Sequence, residues 1–246
     1  MARPDVRRGV FETLLVRGGR PLELDAHLGR LRSSLDALYD TATPAGTRDA
    51  LLECARGVNL GRLRVTVAPG AGPDVRLAEV APGLVFPGWD GALTLRPLEL
   101  RGGLGAHKWA DRSRVLGAEA DPDTVPLVVD ADGSVLEASR GNVFLVRHGV
   151  LVTPRTDGRL LAGVTRRRVL ALARAAGLAV REERVTFGEL LEADELFVTG
   201  AVRGLEPVRR CVDGAAWPDA PVAARLAELL RRQWADMPLK EGSRCP

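Results

Sequence analysis

The order of strand-forming and helix-forming segments changes character once along this chain, at Arg101-Gly102-Gly103-Leu104-Gly105. That change constrains the architecture more than any single motif. Ahead of it, β-prone runs alternate with amphipathic helices. Val10 to Val16 is apolar, and Gly18-Gly19 turns the chain toward Pro21-Leu22-Glu23-Leu24, which predicts a hairpin. Leu28, Leu31, Leu35 and Leu38 recur at helical spacing, so a helix is expected from an Asp25 N-cap to near Tyr39. A second helix over 48–57, strands at 63–67, 75–80 and 93–98, and a Pro/Gly-rich loop at 82–91 complete this half. Beyond the change, short strands at 126–129, 135–137, 143–146 and 150–152 follow one another across Asp132-Gly133 and His148-Gly149, which predicts antiparallel pairing. A helix from Val164 to about Ala176, strands at 180–184 and 195–198, and a closing helix over 221–233 follow. The expectation is an α+β chain of two domains: a small N-terminal α/β domain over 1–100, a linker at 101–106, and a larger domain over 107–246, with a cleft near the linker.

Composition matters mainly through lysine. The 35 basic residues include only two lysines, Lys108 and Lys240; all others are arginine. A guanidinium stays protonated and cannot replace an amine in covalent carbonyl chemistry, so Lys108, beside the linker, stands out. The net charge of +3 is spread evenly and calls for neither a nucleic-acid nor a membrane partner. The tracts Arg166 to Arg168 and Arg231 to Arg232 read as solvated helix faces. No apolar run approaches the roughly 18 residues of a membrane span and the N-terminus lacks signal-peptide order, which gives a cytoplasmic expectation. Cys54, Cys211 and Cys245 have neither disulfide nor zinc spacing, so reduced thiols and no metal are expected.

Three features of the second half are chemically complementary. Lys108 offers an amine at an interdomain crevice, and Glu137 offers a carboxylate at a strand end. The loop Pro154 to Gly163 delivers the chain into a helix at Val164-Thr165-Arg166, whose free N–H groups favour an anion. Amine, acid and anion hole are the groups needed to hold pyridoxal phosphate. His107, next to the lysine, reads as a structural linker histidine.

These residues resemble the class IV aminotransferase family, the fold-type IV pyridoxal-phosphate enzymes. Gly9-Val10-Phe11-Glu12-Thr13 is similar to the family's N-terminal strand, and His27-Leu28-Gly29-Arg30-Leu31 to its H-x-x-R-L helix. Glu137, Asn142 and Phe144 match its E-x-x-x-x-N-x-F segment, and Leu161-Ala162-Gly163-Val164-Thr165-Arg166 its L-x-G-x-T-R turn. The resemblance runs from about Gly9 to Val208 and implies a larger domain built as a mixed, barrel-like sheet. It also implies that Lys108 bonds the cofactor aldehyde and Glu137 contacts the pyridine nitrogen. Arg30, Gly163, Val164 and Thr165 would hold the phosphate, Asn142 would belong to the cofactor site, and Leu161 would pack on the ring. A homodimer and a small-molecule amine substrate are implied in the same way.

The chain also departs from the family pattern. Arg7-Arg8 replaces the usual aspartate-glycine, and the family's leading strand is absent. Tyr39, the only tyrosine, lies in a helix stripe, leaving Arg112 either to face the cofactor's phenolic oxygen or to pair with Asp111 or Glu119. Ala201 replaces a phosphate-binding threonine and leaves a backbone N–H. The K-x-x-x-R run at Lys108 to Arg112 and the run Val202 to Val208 look more like aminodeoxychorismate lyases, which make 4-aminobenzoate and pyruvate in folate biosynthesis. A class IV aminotransferase acting on branched-chain or D-amino acids is the alternative, and a non-catalytic binding relative the second.

Overall fold

The structure is a computed structural model that describes residues 4–121, 123–212 and 214–236; Lys240 and Cys245 lie outside it. The strands are β1 (Val10–Arg17), β2 (Arg20–Pro21), β3 (Leu60–Val67), β4 (Asp74–Glu79), β5 (Leu93–Glu99), β6 (Val125–Val129), β7 (Ser134–Ala138), β8 (Asn142–Arg147), β9 (Val150–Pro154), β10 (Ala179–Glu183), β11 (Val185–Thr186), β12 (Glu195–Gly200) and β13 (Gly204–Cys211). The helices are α1 (Leu24–Tyr39), α2 (Thr47–Ala55), α3 (Ser113–Glu119), α4 (Val164–Ala175), α5 (Phe187–Leu191) and α6 (Pro221–Asp236).

Strands β2-β1-β3-β4 form an antiparallel sheet. Strand β3 alternates, whereas β1 is buried on both faces; on the face that meets the helices Val10, Val16, Leu63, Val65 and Val67 pack with Leu31, Leu35 and Leu51 of α1 and α2. The other face carries Phe11, Thr13, Arg62 and Arg64 toward the larger sheet. Helix α1 starts at Leu24, one residue before the expected cap. Glu23 precedes it in the left-handed region without a side-chain cap, while Asp25 sits in the first turn and pairs with Arg48 of α2. A carboxylate there still suits the positive end of the helix.

The second sheet has nine strands in the order β10-β9-β8-β12-β13-β5-β6-β7-β11, with β10/β9, β13/β5 and β5/β6 parallel. Strands β7 and β8 are joined by the short turn Ser139-Arg140-Gly141, yet stand near opposite ends of this order. The sheet must therefore curl until their ends meet at the turn that carries the Ala138–Gly141 bridge. This gives the barrel-like larger unit that was expected. Strands β6, β7, β8, β9 and β12 are largely apolar because both faces are covered, whereas the edge strand β10 is mostly exposed. Along β8, Val143 and Leu145 fill the inner cluster with Leu127, Val198 and Val208, whereas Phe144 and Val146 pack outward with Leu170 of α4 and Leu226 of α6.

Two expectations need correction. Strand β5 belongs to the larger sheet, between β13 and β6. The crossing from the small sheet thus falls between β4 and β5, ahead of the glycine-rich segment, and not after residue 100. Strand β13 has no counterpart in the sequence reading, because Gly204 and Pro207 read as turn residues. The sheet accommodates them at its Gly200–Gly204 hairpin end and near a register shift between Val208 and Arg210. Among the described residues, no helix is long and apolar enough to cross a membrane.

Candidate active site

A cavity of about 470 Å³ opens between the small sheet and the turns of the large one. Lys108 lies on its wall, fixed from the backbone outward. The Lys108 carbonyl accepts the Phe11 N–H at 2.9 Å, Ala110 N–H donates to Gly9 O at 3.0 Å, and Val10 bridges Trp109. The residues after the linker thus extend the small sheet, and Lys108 sits where the two units meet. Its Nζ stands 4.8 Å from the centre of the Phe11 ring. Burial, reinforced by the Arg30 charge, pushes the ammonium down to about 8. His107 turns away: its Nδ1 lies 3.0 Å from Ser34 Oγ on α1, which ties the linker to the helix.

Glu137, on β7, is buried at 4% exposure beside a small adjoining cavity that Lys108, Arg112, Asn142 and Leu161 also line. Burial pushes its carboxyl up to about 7, against the Leu161 N–H that donates to Oε1 at 3.2 Å and the nearby Lys108 charge. Asn142 donates through Nδ2 to the Leu161 carbonyl at 2.8 Å. Leu161 is therefore pinned at both backbone groups, and Asn142 acts on this loop by holding it in place.

Gly163, Val164 and Thr165 line the cavity where α4 begins. Gly163 caps the helix without a side-chain hydrogen bond, and the Val164 and Thr165 amides have no partner among the described residues. A helix start of this kind favours an anion. Ala201 lies nearby in the β12–β13 turn and also lines the cavity.

Arg30 reaches the cavity from α1, but it is not free. Its Nε and Nη2 donate to Glu12 Oε1 and Oε2 at 2.7 Å each, and its Nη1 to Ala162 O at 2.9 Å. His27 Nδ1 lies 2.7 Å from the same carboxylate, which is 1% exposed. Burial alone would raise Glu12, but the Arg30 guanidinium and His27 hold it down at about 2. The spacing of His27 and Arg30 on α1 thus serves a buried strand carboxylate, a role not assigned to Glu12 from sequence. Each Arg30 Nη still has one N–H to offer an anion.

Arg112 lines the cavity and makes the expected pairing with Glu119, donating through Nη2 to Glu119 Oε1 and to Ser139 O, each at 2.6 Å. Asp111 pairs with Arg8 instead. The Tyr39 hydroxyl donates to Val6 O, away from the cavity. The tract Arg166 to Arg168 is not a solvated face. Arg166 is 5% exposed and holds Pro154 O and Glu182, and Arg168 makes two 2.7 Å bonds to Glu23 across the two units. Only Arg167 faces solvent.

Sequence reasoning also missed Arg62 and Arg64, which line the small-sheet wall. Neither has an acid partner among the described residues; Arg64 rests on the Phe11 ring at 3.8 Å and is held below the usual arginine range by burial and by Arg62 and Arg112. Their alternation along β3 was visible in Arg62-Leu63-Arg64, but which sheet face met the cavity was not.

A family model described as amino-transferase class IV matches residues 9–85 and 111–211. The "Probable branched-chain-amino-acid aminotransferase" of Thermotoga maritima is 40% identical over 104 residues, 42% of this chain and 38% of that protein. The chain spans well under half the length of the curated relatives it matches. Among solved structures, a 4-amino-4-deoxychorismate lyase from Pseudomonas aeruginosa is 28% identical with a TM-score of 0.77, covering 94% of this chain and 96% of that one. An aminotransferase from Brucella abortus bound to the co-factor PLP is 26% identical with a TM-score of 0.77, covering 94% and 90%.

Proposed function

As this chain belongs to the class IV amino-transferase family, with pyridoxal phosphate as its cofactor, we propose that it is a lyase converting 4-amino-4-deoxychorismate to 4-aminobenzoate and pyruvate. When bound, pyridoxal phosphate supplies an aldehyde for the substrate amine and a ring that accepts electrons. The residues present suit it: a half-buried amine and a helix start whose amides have no partner among the described residues line the main cavity, and the same amine and a buried carboxyl line the small cavity beside it. The Val164 and Thr165 amides, with the remaining Arg30 N–H groups, would bind the phosphate. Glu137 would face the ring nitrogen, its second oxygen having no partner among the described residues. Arg112 would stand at the phenolic side, and Leu161 would offer its apolar side chain to the ring.

Lys108 does the proton work in this reading. With its amine lowered to about 8, a useful fraction is neutral near physiological pH, so Nζ can attack a carbonyl carbon and take a proton from the amine-bearing carbon of the substrate. Loss of that proton lets the ring become aromatic as the enolpyruvyl group leaves.

The observation that carries the lyase reading is that Arg62 and Arg64, over the cavity, have no acid partner among the described residues. Unmatched guanidinium groups favour a carboxylate-bearing substrate beyond what a branched aliphatic side chain would use. An aminotransferase is the second reading, favoured by the similarity to the Thermotoga maritima protein. Incubation with aminodeoxychorismate and no oxo acid distinguishes them. We expect 4-aminobenzoate to accumulate over many turnovers, and none from Lys108→Arg, which keeps the charge but not the nucleophile. If a common amino acid instead bleaches the cofactor rapidly, an oxo acid restores it, and aminodeoxychorismate is untouched, the aminotransferase reading replaces this one.

A further inference from the structure

Glu206 is a buried carboxylate that the reaction above does not use. It lies on β13, is 1% exposed, and borders the main cavity. Its Oε1 accepts Arg140 Nη2 at 2.6 Å and Arg203 Nη1 at 3.3 Å. Arg140 comes from the β7–β8 turn and Arg203 from the β12–β13 turn, so one carboxylate gathers guanidinium groups from two separate turns of the large sheet. Both arginines line the cavity with about a third of their side chains exposed, 32% and 33%. Each guanidinium uses one N–H on Glu206 and makes no other hydrogen bond among the described residues, leaving four N–H donors apiece. Burial pushes the Glu206 carboxyl up, against the two guanidinium charges. A carboxylate so desolvated is costly to keep. Here its placement holds two long, flexible side chains at the cavity wall with one positive charge in excess.

We propose that Arg140 and Arg203, positioned by Glu206, form a second carboxylate subsite facing Arg62 and Arg64, so that the substrate carries one acid group for each wall. This rests on the functional reading above and narrows it. A planar guanidinium fork matches a carboxylate, whereas the helix start of α4 already offers the phosphate its donors. A dicarboxylated amine would use both walls; an amine with one carboxylate and an aliphatic tail would leave the large-sheet arginines without a partner.

The test uses the cofactor-loaded protein and two simple probes, glutarate and pentanoate, titrated by calorimetry. Charged hydrogen bonds of this kind lead us to expect glutarate to bind at least about tenfold more tightly than pentanoate. Arg140→Met or Arg203→Met should bring the two within about threefold, with the cofactor absorbance unchanged. Glu206→Gln separates positioning from simple charge. It makes the wall one charge more positive, so free arginines would bind glutarate more tightly, whereas arginines that need Glu206 to hold them lose part of the preference. An unaltered preference in both arginine variants, no preference in the parent, or tighter glutarate binding by Glu206→Gln would each overturn the proposal. Failure of the functional reading looks different: the loaded protein leaves aminodeoxychorismate untouched and a common amino acid bleaches its cofactor, whichever way the two probes bind.

Discussion

Glu137 and Lys108 are each displaced toward neutrality by burial, and they leave opposite marks on the apoprotein. The Glu137 carboxyl, raised to about 7, keeps its proton at a pH where the unfolded chain has lost it. Between the ordinary carboxylate range and about pH 7 the folded chain therefore binds more protons, and stability falls as pH rises through that window. The Lys108 ammonium, lowered to about 8, gives up its proton before the unfolded chain does, so stability is regained from about pH 8 toward the ordinary lysine range. Glu137→Gln keeps an acceptor for the Leu161 N–H and removes the first loss. The apo variant should exceed the parent by roughly a few kcal/mol at about pH 8 and by much less at about pH 4. Urea unfolding of both proteins at the two pH values checks this, and equal stability at the higher pH would show that Glu137 is not held in a desolvated state.

The start of α4 shows how an element presents its backbone to a ligand. Gly163 is required there because a Cβ would come 2.0 Å from Asn142 Oδ1. Gly163→Ala must therefore push the Asn142 amide off the Leu161 carbonyl, loosening the loop that holds Glu137. A loss of about 1–3 kcal/mol is expected from the overpacking, together with weaker uptake of pyridoxal phosphate. Gly29, inside α1, meets nothing within 4 Å of an added Cβ; Gly29→Ala should gain up to about 1 kcal/mol from helix propensity. Unfolding curves and cofactor titrations of the pair separate the two cases. A Gly163→Ala protein with parental stability and affinity would mean that the Asn142–Leu161 bond does not matter.

At the scale of the whole molecule, the Glu12–Arg30–Ala162 chain joins the small sheet to the turn before α4, and the Glu23–Arg168 pair joins the units a second time. An anion that engages both Arg30 and the α4 amides would bind only when the two units are docked, and would stabilise that state by mass action. Saturating pyridoxal phosphate should raise the Tm of the parent protein, with a smaller rise from inorganic phosphate. Arg30→Ala should shrink both rises and weaken cofactor binding by roughly 1.5–3 kcal/mol, the cost of losing a charged hydrogen bond. Thermal melts with and without each anion decide it; identical rises in parent and variant would return Arg30 to a purely structural role beside Glu12.

The sequence by itself determined the set of residue types and their order. A lone mid-chain lysine, the His27/Arg30 spacing, Glu137 with Asn142, and the glycine before Val164 pointed to an amine, an acid and an anion site in an α+β chain. Local periodicity also placed most helices and hairpins, because a single amphipathic face leaves a regular pattern. Tertiary structure alone decided the rest. Strand β5 joined the large sheet because it pairs on one side with β13 from far along the chain and on the other with β6, and β13 carries no strand pattern in the sequence because its Pro207 reads as a turn until a register shift nearby accommodates it. The partners of the arginines were equally hidden. Arg166 and Arg168 are buried or bridging, Arg62 and Arg64 unpaired, and Arg140 and Arg203 gathered on Glu206, since a charge's partner is set by which turns and sheet faces meet in space, and no spacing along the chain encodes that.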